Sequence, residues 1–354
     1  MLSKLQQQIV DNDENIIFVE AAAASGKTAT IVEKIKRELA ADKGKVVAFT
    51  FTNAAAEEMY DRVGVQDPSK LFIGTIHSYC VQILLANGID QAIQYCEEEW
   101  FDRLFQLVKQ HPECIRPVYC IICDEMQDCN ESQFEFIFDI LTAEKYFCCY
   151  DKRQSIYRWN GAHPEYIDDY ANKMHAEILT LNENYRNSNR VLNFAKNIIA
   201  VAGWDYRDDS VPMRGVTGVV KSDIEYSPHA VARSLASLKG GYGSWFVLTR
   251  TNDQIDEIVH HLKLHNVPFD TFKRAELNNK ELNERMKADT VKVLTIHSAK
   301  GLKADNVIVI GPKFYNLEER CISYVAATRA RNSLYWTKMP NKTRKQNMVS
   351  NWES

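Results

Sequence analysis

Residues 21–28 read Ala-Ala-Ala-Ala-Ser-Gly-Lys-Thr and follow directly on the apolar run Ile16-Ile17-Phe18-Val19. A strand, a tight small-residue loop and a helix opening at Gly26-Lys27-Thr28 turn backbone N–H groups and the positive end of a helix dipole towards a bound phosphate. In that geometry Lys27 reaches the β/γ-phosphates of a nucleotide and the Thr28 hydroxyl holds Mg²⁺. The first position of the pattern G-x-x-x-x-G-K-[ST] is Ala21 here, so the octapeptide by itself fits an ordinary small-residue turn equally well. A second group is Asp124-Glu125, at the end of the apolar run Tyr119–Cys123. Carboxylates at the C-terminal end of a buried strand sit at the crevice where α/β sheets bind ligands. There Asp124 would hold Mg²⁺ through water and Glu125 would polarise an attacking water. A third group lies in Asp151–Gly161: Gln154 can hydrogen-bond a γ-phosphate, and Tyr157 and Trp159 bracket Arg158. Two π-faces beside a cation suit single-stranded bases stacked over a backbone contact. Taken without context, the same aromatics read as core.

These residues need a scaffold of buried strands, and the chain supplies one. Apolar runs of β type recur at Ile16–Val19, Val46–Phe49, Leu71–Ile73, Tyr119–Cys123 and Tyr146–Cys149. In the second half they recur at Glu177–Leu181, Trp245–Leu248, Val291–Thr295, Val307–Ile310 and Leu334–Trp336. Near-continuous apolar runs of this length belong to strands covered on both faces, as in parallel α/β sheets. Between the first two runs Ile31, Ile35 and Leu39 recur every four residues, which is one face of a helix. A single large α/β domain would account for the strands. A length of 354 residues and two sets of strands with one phosphate loop point instead to two similar domains, residues 1–175 and 176–354. Residues 79–117 carry no clear strand and an amphipathic Phe101–Val108 segment, which predicts a small helical insertion in the first domain. Residues 270–289 are polar and read as a short connection.

Composition narrows the class. The chain is 45% hydrophobic and 25% charged, ordinary for a globular protein. No apolar stretch approaches the roughly 20 residues that span a bilayer, and Met1–Gln8 lacks the apolar centre of a signal peptide. These observations predict a cytoplasmic protein with no membrane partner. The net charge of −4 means that any nucleic-acid site is locally basic, in a groove. Nine cysteines lie mostly in apolar runs. In Cys120-Ile-Ile-Cys123 the two thiols point to opposite faces of a strand, which disfavours zinc and favours buried reduced thiols.

The motifs together resemble the superfamily I DNA helicases of the UvrD/Rep/PcrA type. Gln6, in Leu5–Val10, resembles the adenine-reading glutamine. Thr50-Phe51-Thr52-Asn53-Ala54-Ala55-Ala56-Glu57-Glu58-Met59 is close to TFTNKAAxEM, and Gly74-Thr75-Ile76-His77-Ser78 to GTFHS. Asp124–Asp128 resembles DEFQD, Gln154–Gly161 resembles QSIYRWRG, and Asn184–Ser188 resembles NYRSS. Thr295–Leu302 resembles TLHSAKGLE without its last residue, and Tyr324–Ala330 resembles YVAxTRA. The resemblance runs from residue 6 to about 336. It implies two RecA-like parallel-sheet domains of the P-loop NTPase class, with ATP in the cleft between them. The first domain would supply Lys27, Thr28, Asp124, Glu125 and Gln154, and the second Arg186 and Arg329 as arginine fingers. Ala24, Ser25, Gly26, Thr30 and Gly301 would join the nucleotide site, with Tyr185 stacked on adenine. Phe51, Asn53, His77, Tyr157 and Trp159 would grip DNA in the first domain, and Thr295 and His297 in the second. The implied activity is ATP-dependent, Mg²⁺-requiring 3′→5′ movement along single-stranded DNA and at single-strand/duplex junctions, with protein partners drawn from replication, recombination or repair.

The chain also departs from the family pattern. Ala22 and Ala24 replace the glycines of AGAGSGKT; alanine disfavours φ > 0, which leaves a loop built with φ < 0. Tyr150 replaces the Gly of a Gly-Asp pair, Asn160 replaces an Arg, and Lys303 replaces the Glu of GLE, reversing a charge beside the nucleotide sugar. Relatives are about twice as long, carrying large helical insertions that contact duplex DNA. Here the first is reduced to residues 79–117 and the second is nearly absent between Ser188 and Val291. The chain in this respect resembles a minimal helicase, which implies a source such as a compact phage or mobile-element genome. The reduction motivates a second reading, an ATP-gated single-strand clamp or remodelling subunit that does not separate strands. A P-loop kinase unrelated to DNA would leave Tyr157, Trp159 and both Thr-x-His-Ser strings unexplained.

Overall fold

The computed structural model describes residues 2–89, 100–201, 206–272 and 284–338. The chain divides into two compact units, residues 1–184 with 209–211, and residues 185–208 with 212–354. In the first unit the elements run α1 (Lys4–Asp11), β1 (Ile16–Ala21), α2 (Lys27–Ala40), β2 (Val46–Phe49), α3 (Asn53–Val63), β3 (Leu71–Gly74), α4 (Ile76–Ala86), α5 (Trp100–Gln110), β4 (Val118–Cys123), α6 (Glu131–Glu135), β5 (Ala143–Tyr150), α7 (Glu165–Lys173) and β6 (Glu177–Leu181). All six strands are parallel, in the order β3-β2-β4-β5-β1-β6. Glu177–Leu181, counted in sequence with the second-half strands, is therefore the edge of the first sheet, hydrogen-bonded to β1.

Strand periodicity explains the two cores. Ile17, Val19, Val46, Ala48, Cys120 and Ile122 face one side, against Ile31 and Ile35 of α2 and Met59 of α3. Phe18, Val47, Phe49, Ile121 and Cys123 face the other, against α4, α5 and α7. Cys120 and Cys123 thus lie in different cores, as period-two geometry requires. The stretch between β3 and β4 is helical, but it is no appendage: Tyr79, Cys80 and Leu84 of α4 and Leu104, Phe105 and Val108 of α5 are buried in the core of the sheet.

The second unit repeats the scheme with α8 (Asn189–Ile199), β7 (Val219–Glu225), α9 (Pro228–Ala236), β8 (Trp245–Thr249), α10 (Asn252–Leu264), β9 (Phe269–Thr271), β10 (Val291–Thr295), β11 (Ala304–Val309), α11 (Leu317–Thr328) and β12 (Ala330–Lys338). Its six parallel strands order as β9-β10-β8-β11-β12-β7. One face packs on Leu235 of α9 and Ile255, Ile258 and Leu262 of α10. The run β10-β8-β11-β12-β7 reproduces β3-β2-β4-β5-β1, so both units are RecA-like parallel α/β domains. Most of the polar 270–289 stretch lies outside the described residues. No helix among the described residues is long and apolar enough to cross a membrane.

A buried ion pair fixes α2 beneath the sheet. Lys34 Nζ lies 3.0 Å from Glu38 Oε1 and donates to the carbonyls of Asn12 (2.8 Å) and Val10 (3.2 Å), which ties down the end of α1. The Tyr119 hydroxyl donates to Glu38 Oε2 at 3.0 Å, and Lys145 stands 3.8 Å away. Burial works against the charged carboxylate, yet Lys34, Tyr119 and Lys145 outweigh it and hold Glu38 below its ordinary value of 4.5. Glu38→Gln leaves the Lys34 ammonium buried with carbonyls alone and is expected to cost about 3–5 kcal/mol at pH 7. Because folding depresses this pKa, the carboxylate's contribution is complete above 4.5 and drains away as pH falls through the lower folded value. Urea midpoints measured against pH should fall on the acid side in the wild type and fall less steeply in Glu38→Gln. Equal midpoints at pH 7 would show that the pair contributes nothing.

Candidate functional site

The phosphate-loop sequence forms the turn its residues imply, with one difference. β1 ends at Ala21, the Ser25 N–H donates to the Ala22 carbonyl at 3.2 Å, and α2 begins at Lys27. Gly26 caps the helix at φ 86°, a left-handed conformation that suits glycine. Ala24 also adopts φ 61°, so the loop is not built with φ < 0 throughout; it bends into the left-handed region at an alanine. The Thr30 N–H and hydroxyl both bond the Gly26 carbonyl, at 3.1 and 3.3 Å, closing the first turn. Two residues outside the loop hold its carbonyls. Gln6 Nε2 donates to Ser25 O at 2.9 Å, and Asn184 Nδ2 donates to Ala23 O at 2.8 Å. Gln6 Oε1 accepts from the Ser3 N–H at 2.9 Å, so both ends of this amide are engaged. The Ser25 hydroxyl is buried with no hydrogen-bond partner among the described residues. An orphaned donor inside an N–H-lined turn is what an anionic oxygen would satisfy.

Lys27 is 9% exposed and lies 3.2 Å from Glu125 Oε1. Burial disfavours its charge, but Glu125, Asp151 and Asp124 more than compensate and hold its pKa above the ordinary lysine value. Asp124 follows β4 directly, its N–H bonded to Phe49 O at 2.9 Å. Glu125 turns into the left-handed region at φ 55°, and its N–H donates to Asp124 Oδ1 at 2.9 Å. From Glu125 a relay runs inward. Gln127, fully buried, donates to Glu125 Oε2 and accepts the Asp151 N–H at 2.9 Å. Asp151 in turn accepts from Gln154 Nε2 at 2.7 Å and from Arg153 Nε at 2.6 Å. The structure therefore joins Lys27, Glu125 and Gln154 in one connected network. Gln127, Asp151 and Arg153, which carry that network, were not singled out as site residues. Their only signal was position, just beyond two strand ends. Among the described residues no three His, Cys, Asp or Glu side chains form a preformed metal cage. Thr28 and Asp124 suit Mg²⁺, which takes one or two protein ligands and completes its shell with phosphate oxygens and water.

The aromatic residues come together in the first unit. Phe51 stacks on Tyr157 with ring centroids 4.8 Å apart and 25° between planes, and Trp159 meets Tyr157 edge-on at 6.2 Å. Trp159 is 70% exposed, whereas Tyr157 is 2% exposed and supports Phe51 from beneath. Asn53 opens α3 behind the Thr52 cap, and His77 packs on Phe105 at 5.2 Å in the first turn of α4.

In the second unit Arg186 and Arg329 converge on one turn. Arg186 Nη1 donates to Thr328 O at 3.4 Å. Arg329, 2% exposed, donates to Val325 O (3.0 Å), Leu302 O (3.3 Å) and the Thr328 hydroxyl (3.1 Å). Asn187 Nδ2 clamps the same turn through Thr328 O and Ala330 O, at 3.0 and 2.6 Å. Tyr185 is 41% exposed, and Gly301 sits at φ 85° before Leu302.

The Thr-x-His-Ser strings are hydroxyl-capped turns at equivalent strand ends. The Ser78 and Ser298 N–H groups each donate to Thr75 and Thr295 Oγ1 at 3.2 Å. The neighbouring strands β2 and β8 also end alike: Thr50 Oγ1 donates to Thr52 O and Thr249 Oγ1 to Thr251 O, both at 3.0 Å. Thr52 and Thr251 then cap α3 and α10, so Asn252 stands where Asn53 does. Thr-Arg-Thr-Asn shares too little with Thr-Phe-Thr-Asn for the sequence to announce this repeat.

Residues 2–113 and 96–175 match the family model described as the UvrD/REP helicase N-terminal domain, and residues 270–341 that of the UvrD-like helicase C-terminal domain. The chain is similar to a probable DNA helicase II homolog of Mycoplasma capricolum, with 23% identity over 90% of this chain and 58% of that protein. It is 24% identical to a probable DNA helicase of Mycoplasma pneumoniae over 94% of this chain and 82% of that one. A match to the ATP-dependent DNA helicase PcrA of Bacillus subtilis, at 26% identity, covers 56% of this chain and 39% of the relative.

The left-handed alanine generates a stability test. The αL conformation costs a Cβ-bearing residue about 1–2 kcal/mol, part of which glycine forfeits through unfolded-state entropy. Ala24→Gly should therefore stabilise the protein by about 0.5–1 kcal/mol, read as a raised urea midpoint at unchanged slope. A lowered midpoint would mean that residue 24 does not hold this conformation in solution.

Proposed function

The chain belongs to the UvrD/REP helicase family, and from that premise we propose that it is an ATP-dependent 3′→5′ DNA helicase or single-strand translocase. One observation carries the reading: the phosphate loop, the strand-end carboxylates and Gln154 share a single hydrogen-bond network in the first unit. The chain spans 58% of the length of the Mycoplasma capricolum relative, so activity, substrates and partners are proposed for this chain on its own residues.

In this reading the two units are the two motor domains. ATP is the substrate, bound through the loop N–H groups, Lys27 and Thr28, with Gln6 holding the loop and Tyr185 against the base. Thr28 and Asp124 would hold Mg²⁺, which would neutralise phosphate charge. Glu125 accepts a proton from the water that attacks the γ-phosphorus, the bridging P–O bond breaks, and ADP leaves with the electron pair. Gln154 registers loss of the γ-phosphate and passes it through Asp151 and Gln127. Arg186 and Arg329 offset the charge that builds on the transferring phosphoryl group. Phe51, Asn53, His77 and Trp159 hold single-stranded DNA in the first unit, supported by Tyr157, and Thr295 and His297 hold it in the second. Single-strand/duplex junctions are the proposed substrates, and replication, recombination or repair proteins the proposed partners.

A second reading, an ATP-gated clamp that does not separate strands, is favoured by the burial of α4 and α5 in the sheet core. That packing leaves no separate helical subdomain between β3 and β4 among the described residues.

ATP turnover measured without polymer and with single-stranded DNA, single-stranded RNA or duplex separates these readings. The expected result is a many-fold rise with single-stranded DNA, its abolition in Lys27→Ala, and a fall in kcat of about 10³-fold or more in Arg186→Ala. Turnover indifferent to nucleic acid would overturn the motor reading. Unwinding of a 3′-tailed but not a 5′-tailed duplex would support 3′→5′ polarity, whereas DNA-stimulated turnover with neither duplex opened would favour the clamp.

A further inference from the structure

Three neighbouring parallel strands of the second unit, β10, β8 and β11, deliver their ends to one edge of the sheet. β10 leads into Thr295–Ser298 and β8 into Arg250. β11 leads into Gly311-Pro312-Lys313-Phe314-Tyr315-Asn316, a segment with no role in the function proposed so far. Trp159 and Tyr315, each 70% exposed, are the two most exposed aromatic side chains among the described residues.

Tyr315 is exposed but held. Its hydroxyl donates to Glu319 Oε1 at 3.1 Å. Glu319, 5% exposed, is gripped by Arg250 through both oxygens, Nε to Oε2 at 3.1 Å and Nη2 to Oε1 at 2.8 Å. The Asn316 side chain caps the helix by accepting the Glu319 N–H at 2.8 Å, and the Ser323 hydroxyl donates to Lys313 O at 3.0 Å. Phe314, itself 39% exposed, stacks on Trp336 at 6.1 Å with Arg320 over its ring at 5.8 Å. Lys313 Nζ stands 5.8 Å from the Tyr315 ring centre. Such a ring is tethered through its hydroxyl and largely in solvent, with its nearest carboxylate neutralised and a cation over one face.

The geometry points to Tyr315 as a base-stacking platform of the second unit for single-stranded nucleic acid, with Lys313 on the adjoining phosphate and the Arg250–Glu319 pair positioning the ring. A nucleobase has a π-face whatever its identity, and a stacked base next to a neutralised phosphate is the arrangement by which aromatic–basic surfaces hold single strands. The common edge with Thr295 and His297 puts the platform beside the grip already proposed for this unit. The assignment deepens the motor reading and rests on its single-strand binding.

Binding of a fluorescein-labelled oligo-dT to the full chain, followed by anisotropy at several salt concentrations, tests it, with Trp159→Ala as the reference. Tyr315→Ala should weaken binding about ten-fold or more, while Tyr315→Phe and Tyr315→Trp, which keep a ring, should stay within a few-fold of wild type. Lys313→Ala should lower the salt dependence by about one phosphate contact. Melting temperatures of the variants exclude misfolding as the cause, and Tyr315→Phe separates the ring from its hydroxyl bond. If Trp159→Ala weakens binding and Tyr315→Ala matches wild type, the platform assignment is overturned and the motor reading survives. If wild type itself does not bind the oligonucleotide, both fall.

Discussion

A lysine charge at the start of a helix is a poor arrangement on its own, because the helix dipole and the burial of Lys27 both disfavour it. The structure resolves this with carboxylates from two other strand ends, Glu125 in contact and Asp124 and Asp151 close by. β4 and β5 must therefore lie near β1, which the order β4-β5-β1 achieves. The same electrostatics create the site. In the function proposed above, a phosphate at the loop would take over the neutralisation of Lys27 and release Glu125 from its ion pair to act as the base. Gln127 and Asp151 make that change communicable, because each has its polar atoms committed to a neighbour and cannot shift alone.

Parallel sheets gather function at one edge, and here the edge is used twice. In each unit the strand that ends in Thr-x-Thr-Asn lies beside the strand that leads into Thr-x-His-Ser, and hydroxyl caps freeze both turns. The capping hydroxyls consume N–H groups that would otherwise be unsatisfied at helix starts. The variable residue of each turn, Phe51 in the first unit and Arg250 in the second, is half-buried, while Thr52, Asn53, Thr251 and Asn252 are exposed. The substitution of a guanidinium for a ring changes the local device. Where Phe51 stacks directly on Tyr157, Arg250 locks Glu319, and Glu319 in turn orients Tyr315.

Much of this was legible in the sequence where burial is complete. Val46–Phe49 and Val291–Thr295 coincide with strands, because buried runs dominated by apolar and β-branched residues leave few alternatives. The sheet to which Glu177–Leu181 belongs was not legible, since parallel pairing depends on residues far away in sequence. β7, with Lys221, Ser222 and Asp223, was missed for the opposite reason: as an edge strand with mostly exposed side chains it carries no apolar run. At the site, residues that meet a ligand have distinctive types and spacing, so Lys27, Asp124, Glu125 and Gln154 stood out. The residues that connect them did not, because a buried Gln or Asp between strands looks like any other polar residue until its partners are known. Tyr315 left no signal either, as exposure and a fixed rotamer are properties of a surface.

The departures from the family pattern show which constraints the fold can relax. Ala24 and Glu125 both occupy left-handed backbone, at φ 61° and 55°. Each conformation costs about 1–2 kcal/mol in isolation, and each is held by bonds that a relaxed turn would break. For the loop these are Gln6 to Ser25 O and Asn184 to Ala23 O; for the carboxylate turn they are the Asp124 cap and Gln127. Glycine at residue 24 would remove strain but would also widen the conformations open to the loop. An alanine there trades stability for a loop whose shape is dictated by its neighbours, so α1, through Gln6, becomes part of the proposed phosphate site. At Gly26, also left-handed at φ 86°, a Cβ would displace the Gln6 amide nitrogen, the group that holds Ser25 O. The single glycine that survives in the loop is the one where steric room, and not only backbone freedom, is required.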